Sequence, residues 1–400
     1  MNATVTRPID GARPLASAPM NRRRVAALAL LTLAPLGAFQ APADRLAFRV
    51  QPGTRLLKSY KTSHELRIDD MGLIMDDLPF VSERAGGWVS SSERVEFVDE
   101  YLQTRENLPL EFRRSIRDAG ASGKANVTRQ NGQKIDEPSR SSSPLRQQNI
   151  HFQWIEDERD WSRSYEKVDA EEEWLAPLQG EFELLPLLPP GEVKPGDTWS
   201  VDLGRFKNVL APGGDLQLVP SGGSLFGRLM EIGVGGDYAD FYAPAGGSIQ
   251  ATYKGTREVA LGEGDAATRL IVGVVELQLN LASSADRTAL YRMAMPEEER
   301  REAARLENVT LEYTLTGTGE LLWNGAGGHF HSLTIEGQEG FIASVHKTRF
   351  DGREQHKVIS QSHYSGPVKI ELSCVDGSSV GPETELDNPK LKGGGKRKKR

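Results

Sequence analysis

Five of the seven histidines fall between positions 329 and 363, so metal chemistry is the first possibility to weigh. His329 and His331 are two apart and would project from one side of a strand, with His346 on a neighbouring strand and Glu336 or Glu339 as a carboxylate donor. No further ligand has a diagnostic spacing, and the pair reads as partly covered rim residues near Leu333 and Ile335. The acids Asp69-Asp70, Asp76-Asp77 and Glu171-Glu172-Glu173 are adjacent in sequence. Adjacent residues of a strand point to opposite faces, so these runs do not define a glycosidase pair and read as solvated loops. The segment Gly222-Gly223-Ser224-Leu225-Phe226-Gly227 has its glycines misplaced for a nucleophile elbow. No phosphate-binding loop, dinucleotide fingerprint or calcium loop is present. The aromatic group Phe152, Trp154, Trp161, Tyr165 and Trp174 could stack on sugars, but sheet core is the better reading. Cys374, the single cysteine, alternates with Val368, Ile370 and Leu372 and reads as a small buried apolar residue. The sequence thus nominates no catalytic, metal or cofactor-binding residue and no cofactor.

The elements around these residues have a period of two. Val309, Leu311, Tyr313 and Leu315 alternate with polar residues, and the odd register runs on to Leu321 and Trp323. A glycine-rich turn at 324–328 then leads to Leu333 and Ile335, which predicts a hairpin. Val275 to Leu281, Ile249 to Tyr253, Leu56 to Ile68 and Val95 to Tyr101 alternate in the same way. Strands joined by glycine turns imply a mainly β fold, a curved antiparallel sheet of half-barrel or sandwich-like form with one or two short helices. One helix is expected at 296–307, where Pro296 and three glutamates suit a first turn. Residues 120–148 hold few apolar side chains and read as a long loop.

The first 43 residues carry an address. Arg22, Arg23 and Arg24 precede the apolar run Val25 to Phe39, and Ala41-Pro42-Ala43 supplies small residues for cleavage. This is the pattern of a secretory signal peptide, so a mature chain beginning at Asp44 is expected in the periplasm or outside the cell, with no transmembrane segment. The β-rich region is expected at 44–376, as one domain or as two halves divided near 204–248. The chain carries a net charge of −7, with 49 basic and 56 acidic residues. Seven of the basic residues fall in the last eleven positions, a basic tail expected to be disordered over 377–400, which ends in Lys396-Arg397-Lys398-Lys399-Arg400. An acidic body argues against a nucleic-acid partner, while the tail suits an anionic surface.

The most distinctive stretch is Leu185 to Leu203. Pro195-Gly196-Asp197 is turn chemistry, and Trp199, Val201 and Leu203 predict a strand anchored by its tryptophan. The pattern Leu188-Pro189 followed by Val193-Lys194-Pro195-Gly196-Asp197-Thr198-Trp199 resembles one found in uncharacterised exported β-rich bacterial proteins. Gly317-Thr318-Gly319-Glu320-Leu321-Leu322-Trp323 is similar to strands of such proteins in planctomycete-like bacteria. The resemblance implies an exported β-rich protein and transfers no catalytic residue. The expectation is an envelope or periplasmic protein that binds or scaffolds a lipid or polysaccharide without catalysis. The alternative is an exported hydrolase whose site is assembled from strands.

Overall fold

A computed structural model describes residues 44–380 apart from 84–86, 106–107, 129–133, 167–173, 181–182, 217, 221–245, 262–267, 289–305 and 352–353. The alternating segments form long strands. In chain order they are β1 (Arg55–Met75), β2 (Leu78–Glu83), β3 (Gly87–Arg105), β4 (Leu108–Thr128), β5 (Lys134–Ser142), β6 (Asn149–Ile155) and β7 (Asp160–Tyr165). Then come β8 (Thr198–Ser200), β9 (Val219–Pro220), β10 (Gly246–Leu261), β11 (Thr268–Asp286), β12 (Leu306–Asn324), β13 (His329–Asp351) and β14 (Glu354–Asp376). One antiparallel sheet contains them all, in the order β7-β6-β4-β3-β1-β14-β13-β12-β11-β10-β8, with β2, β5 and β9 off this path. The ends of that path, β7 and β8, do not pair, so the curved sheet is not closed into a barrel. The first and last long strands meet at its middle, Leu56 opposite Asp376 and Met75 opposite Val358.

Alternation sorts the two faces as the sequence predicts. Leu56, Tyr60, Leu66 and Ile68 of β1, Val275, Leu277, Leu279 and Leu281 of β11, and Val309, Leu311, Tyr313 and Leu315 of β12 are all buried on the inner face. That face wraps around the described residues between 174 and 216. Leu175, Leu178, Leu184, Leu187, Phe206 and Val209 are each at most 3% exposed and belong to the same core as the sheet residues. The helix α1 (Leu203–Leu210) lies within this filling, with Phe206, Val209 and Leu210 buried. Residues 44–50 add Leu46, Phe48 and Val50. Among the described residues no helix is long and apolar enough to cross a membrane.

Three local expectations are corrected. Residues 120–148 are not a loop throughout: β4 continues to Thr128 and pairs with β5 from Gly120↔Ser142 to Thr128↔Lys134. Backbone hydrogen bonds hold that ladder with small side chains such as Gly120, Ala121 and Gly123, so an apolar period is a poor guide there. The strand expected through Leu203 stops at Ser200. Asp202 instead starts α1: its Oδ1 accepts from the Gly204 amide at 2.9 Å and its carbonyl from the Phe206 amide at 3.1 Å. Of the helix expected at 296–307, residues 296–305 lie outside the described residues, and Leu306 and Glu307 already belong to β12. The hairpin turn at 324–328 is present, with Gly328 at φ 68° and the Gly327 amide donating to Asn324 Oδ1 at 2.8 Å. Gly377 is still tied to the sheet through Arg55 O at 2.9 Å, while residues 381–400 of the expected tail lie outside the described residues.

Candidate functional site

The inner face carries ionisable groups at apolar parity. On β1 the inward positions run Leu56, Lys58, Tyr60, Thr62, His64 and Leu66, all buried. Lys58 Nζ donates to Asp99 Oδ2 at 2.9 Å, Tyr101 OH at 2.7 Å and Glu183 Oε1 at 2.5 Å. The Tyr101 hydroxyl in turn donates to Glu183 Oε1 at 2.5 Å. Arg114 forks onto Asp99 with two bonds of 2.8 Å and reaches Gln179 O at 2.9 Å. Burial alone would lower the Lys58 pKa and raise that of Asp99. The opposite charges beside them win, keeping Lys58 raised and Asp99 lowered, so both stay ionised. Tyr101 is pushed well above its ordinary value by burial and then by Glu183 and Asp99. The network ties β1, β3 and β4 to the filling segment through Glu183, Gln179 and Gly180.

Further along the inner face, His64 Nδ1 and Glu339 Oε1 are 2.7 Å apart, both residues buried. Glu93 sits nearby; its residue is only partly covered, but its carboxyl is packed enough to be raised to about 7. Burial is the main cause, opposed by His64 and reinforced by Asp215. The space that Tyr60, Thr62, His64, Leu210 and Tyr313 enclose beside this pair is too narrow to admit a water molecule. The pair is therefore poorly placed to act on a substrate.

The outer face is different. A groove of about 1090 Å³ crosses seven adjacent strands, touching 138–140 on β5, 122–124 on β4, 90–92 on β3, 63–65 on β1, 367–369 on β14, 336–338 on β13 and 316–318 on β12. At ordinary strand spacing that is about 29 Å. Three inward-facing glycines lie on successive strands here, Gly317 and Gly337 in this groove and Gly366 in the adjoining one. A Cβ on any of them would strike the backbone carbonyl of Glu336, Thr316 or Glu65 respectively. Glycine here lets neighbouring backbones approach and the sheet bend. The lining is rich in hydroxyls, Ser63, Ser90, Ser92, Ser122, Thr316 and Thr318 among them, and its charges are largely matched. Lys369 pairs with Glu336 at 3.5 Å and Glu371 at 2.9 Å, and Lys124 with Asp136 at 2.9 Å.

A second groove of about 760 Å³ shares Glu65, Gln338 and Pro367 with the first. It contains Trp88, which is 37% exposed, with Lys124 Nζ at 5.9 Å from its ring centroid. Trp88 was not nominated from sequence. The available signal is its parity: it shares the outward register of β3 with Ser90, Ser92 and Arg94, whereas Val89 and Val95 point in.

The residues singled out from sequence are dispersed. His329 Nδ1 donates to Phe330 O (2.7 Å), and its Nε2 lies 3.3 Å from Asn324 Nδ2 beside the hairpin turn. His329 and His331 both have pKa values lowered by burial, and His346 lies far up β13 opposite Asn308. Among the described residues no group of three or more His, Cys, Asp or Glu could hold a metal ion. The aromatic group is largely sheet core: Phe152 stacks on Phe112 at 4.8 Å and Trp161 meets both edge-on, with Trp154 and Trp174 partly buried against them. Trp199 is half-buried and donates to Leu187 O at 3.2 Å. Cys374 is buried, and burial pushes its thiol up, away from reactivity. Asp76 is exposed and bonded to His356 at 2.6 Å; Glu171 to Glu173 and Gly222 to Gly227 lie outside the described residues.

No family model matches the chain, and no curated protein matches it. Among solved structures, the InvG secretin domain β-barrel from the Salmonella SPI-1 injectisome is 9% identical, with 85% of this chain and 67% of that chain covered. Its TM-score of 0.14 carries no argument about fold or function.

Proposed function

We propose that this chain is an exported envelope or periplasmic protein that binds or scaffolds an envelope component on the outer face of its sheet, without catalysis. One contrast carries the reading: the described inner face is packed by residues 174–216, whereas the outer face offers a groove of about 1090 Å³. A carrier of a lipid chain calls for a deep apolar cavity, and the packed interior leaves the groove as the better place to bind. Export rests on the arginine-led apolar segment and on Ala41-Pro42-Ala43, and attachment of the basic tail to an anionic surface remains part of this proposal.

Purified mature chain, beginning at Asp44, tests both parts when mixed with isolated envelope fractions and sedimented. Saturable co-sedimentation, with no release of low-mass products, is the expected result. Failure to bind any envelope fraction would remove the binding role. Turnover of ester or glycoside substrates that His64→Ala abolishes would move the assignment to the hydrolase reading. Mass spectrometry of exported material checks the address: an intact Met1 or Met20 terminus would contradict cleavage at Ala43.

A further inference from the structure

We infer that the occupant of the outer groove is an extended carbohydrate of low net charge, with Trp88 as its stacking platform; this rests on the binding role proposed above. Three observations converge on that chemistry. The lining alternates hydroxyl and amide groups, Ser63, Ser92, Thr318, Asn126 and Gln338, with flat apolar surfaces, the Trp88 ring and Pro367. Sugars present the same alternation, hydroxyls around the ring edge and C–H groups on its faces, and an exposed indole accepts such a face while polar neighbours accept the edge. The shape is also specific. The groove crosses seven strands and shares Glu65, Gln338 and Pro367 with the second groove, which holds Trp88, so the two together suit a chain of several sugar units better than a single ring.

Other occupants fit less well. Six of the seven strands at the groove floor are hydrogen-bonded on both sides in the sheet, so an extended peptide could pair only along the outer edge of β5, where Pro138 lacks a donor. Among the described residues, the branched aliphatic side chains of the two linings, Val368 and Ile68, are buried, which leaves a peptide side chain or acyl chain little to anchor in. The cations of the two linings are offset: Lys124 pairs with Asp136, Lys369 with Glu336 and Glu371, and Arg67 with Asp69 at 2.8 Å, while Arg140 shares the lining with the acids Glu65 and Glu336, so a strongly anionic polymer gains little here.

The test uses the full mature chain with a panel of soluble neutral oligosaccharides of increasing length, uronic-acid oligosaccharides, anionic phospholipid vesicles and lipid-free peptidoglycan. Affinity is read from tryptophan fluorescence and calorimetry at low and high salt. The expected result is binding of a neutral oligosaccharide that strengthens with length and changes less than twofold between the two salt conditions. Trp88→Ala should weaken it at least tenfold and Trp88→Phe should retain most of it, both with unchanged melting temperature. Thr318→Arg, an exposed position in the groove, should also weaken it, and serves as a second variant should Trp88→Ala unfold. Binding to envelope fractions but to no carbohydrate would overturn this inference and leave the binding role standing; binding to neither would overturn both. Carbohydrate binding untouched by Trp88→Ala and Thr318→Arg would place the sugar elsewhere and overturn the site.

Discussion

Lys58 shows how a single residue can be both foreign to its surroundings and essential to them. It occupies an inward position between Leu56 and Tyr60 and is fully buried, yet three oxygen partners surround its ammonium. Lys58→Ala leaves Asp99 and Glu183 short of that cation in a buried site, and a loss of about 3–5 kcal/mol is expected by chemical denaturation. A change below about 1 kcal/mol would mean that water reaches the site. Glu93 gives a pH signature of the opposite kind. Its folded pKa of about 7 stands above the 4.5 of an ordinary glutamate, so the native chain holds that proton more tightly than the unfolded one. Its contribution is therefore complete below about pH 4.5 and is lost as pH rises through 7. Melting temperatures across that range should fall less steeply in Glu93→Gln than in the parent chain. Identical slopes would show that Glu93 titrates normally. The alternation of β1 makes Lys58 and His64 visible in sequence as polar residues at buried parity. What it hides is the partner, since Glu183 lies 125 residues away in a segment with no strand period.

Among the elements, legibility followed the source of the stabilising interaction. Strands whose inner faces bury Val, Leu, Ile and Tyr announce themselves by period, as β11 and β12 do. The β4–β5 ladder does not, because its backbone pairing proceeds over Gly120, Ala121, Ser122 and Gly123, which bury little. Helix α1 was hidden for a related reason: Trp199 and Val201 set up an alternation that Asp202 ends by capping the first turn. Gly317 falls in the odd register of its strand in sequence, which does not reveal that Gly317, Gly337 and Gly366 are points of close approach in the sheet. Gly366→Ala places a methyl group against the Glu65 carbonyl and should cost about 1–3 kcal/mol. If the groove depends on this bend, the same variant loses affinity for the groove's ligand by more than its loss of stability explains, measured well below its melting temperature. An unchanged melting temperature would show that the strands can part without penalty.

For the whole molecule, one hydrophobic cluster spans strands from both ends of the chain and the segment between them. Calorimetry of the mature chain should give one unfolding transition, with van't Hoff and calorimetric enthalpies in agreement. Two resolved transitions would mean that the parts before and after 204–248 hold themselves together separately. The seam where β1 lies against β14 also sets an order of events. Synthesis delivers β1 early and β14 late, so β1 can form its hairpin with β3 but must wait for its other neighbour until nearly the whole chain has emerged. Pairings this distant along the chain close slowly, because the entropy of a very long loop is lost before the contacts are gained. In the interval, half of the sheet exists with an open edge at β1 and with part of its inner face uncovered, a state prone to self-association. The last strand is thus the clasp of the fold, and a chain truncated before Glu354 should accumulate as aggregate even though Lys58, Asp99, Tyr101, Arg114 and Glu183 are all already present.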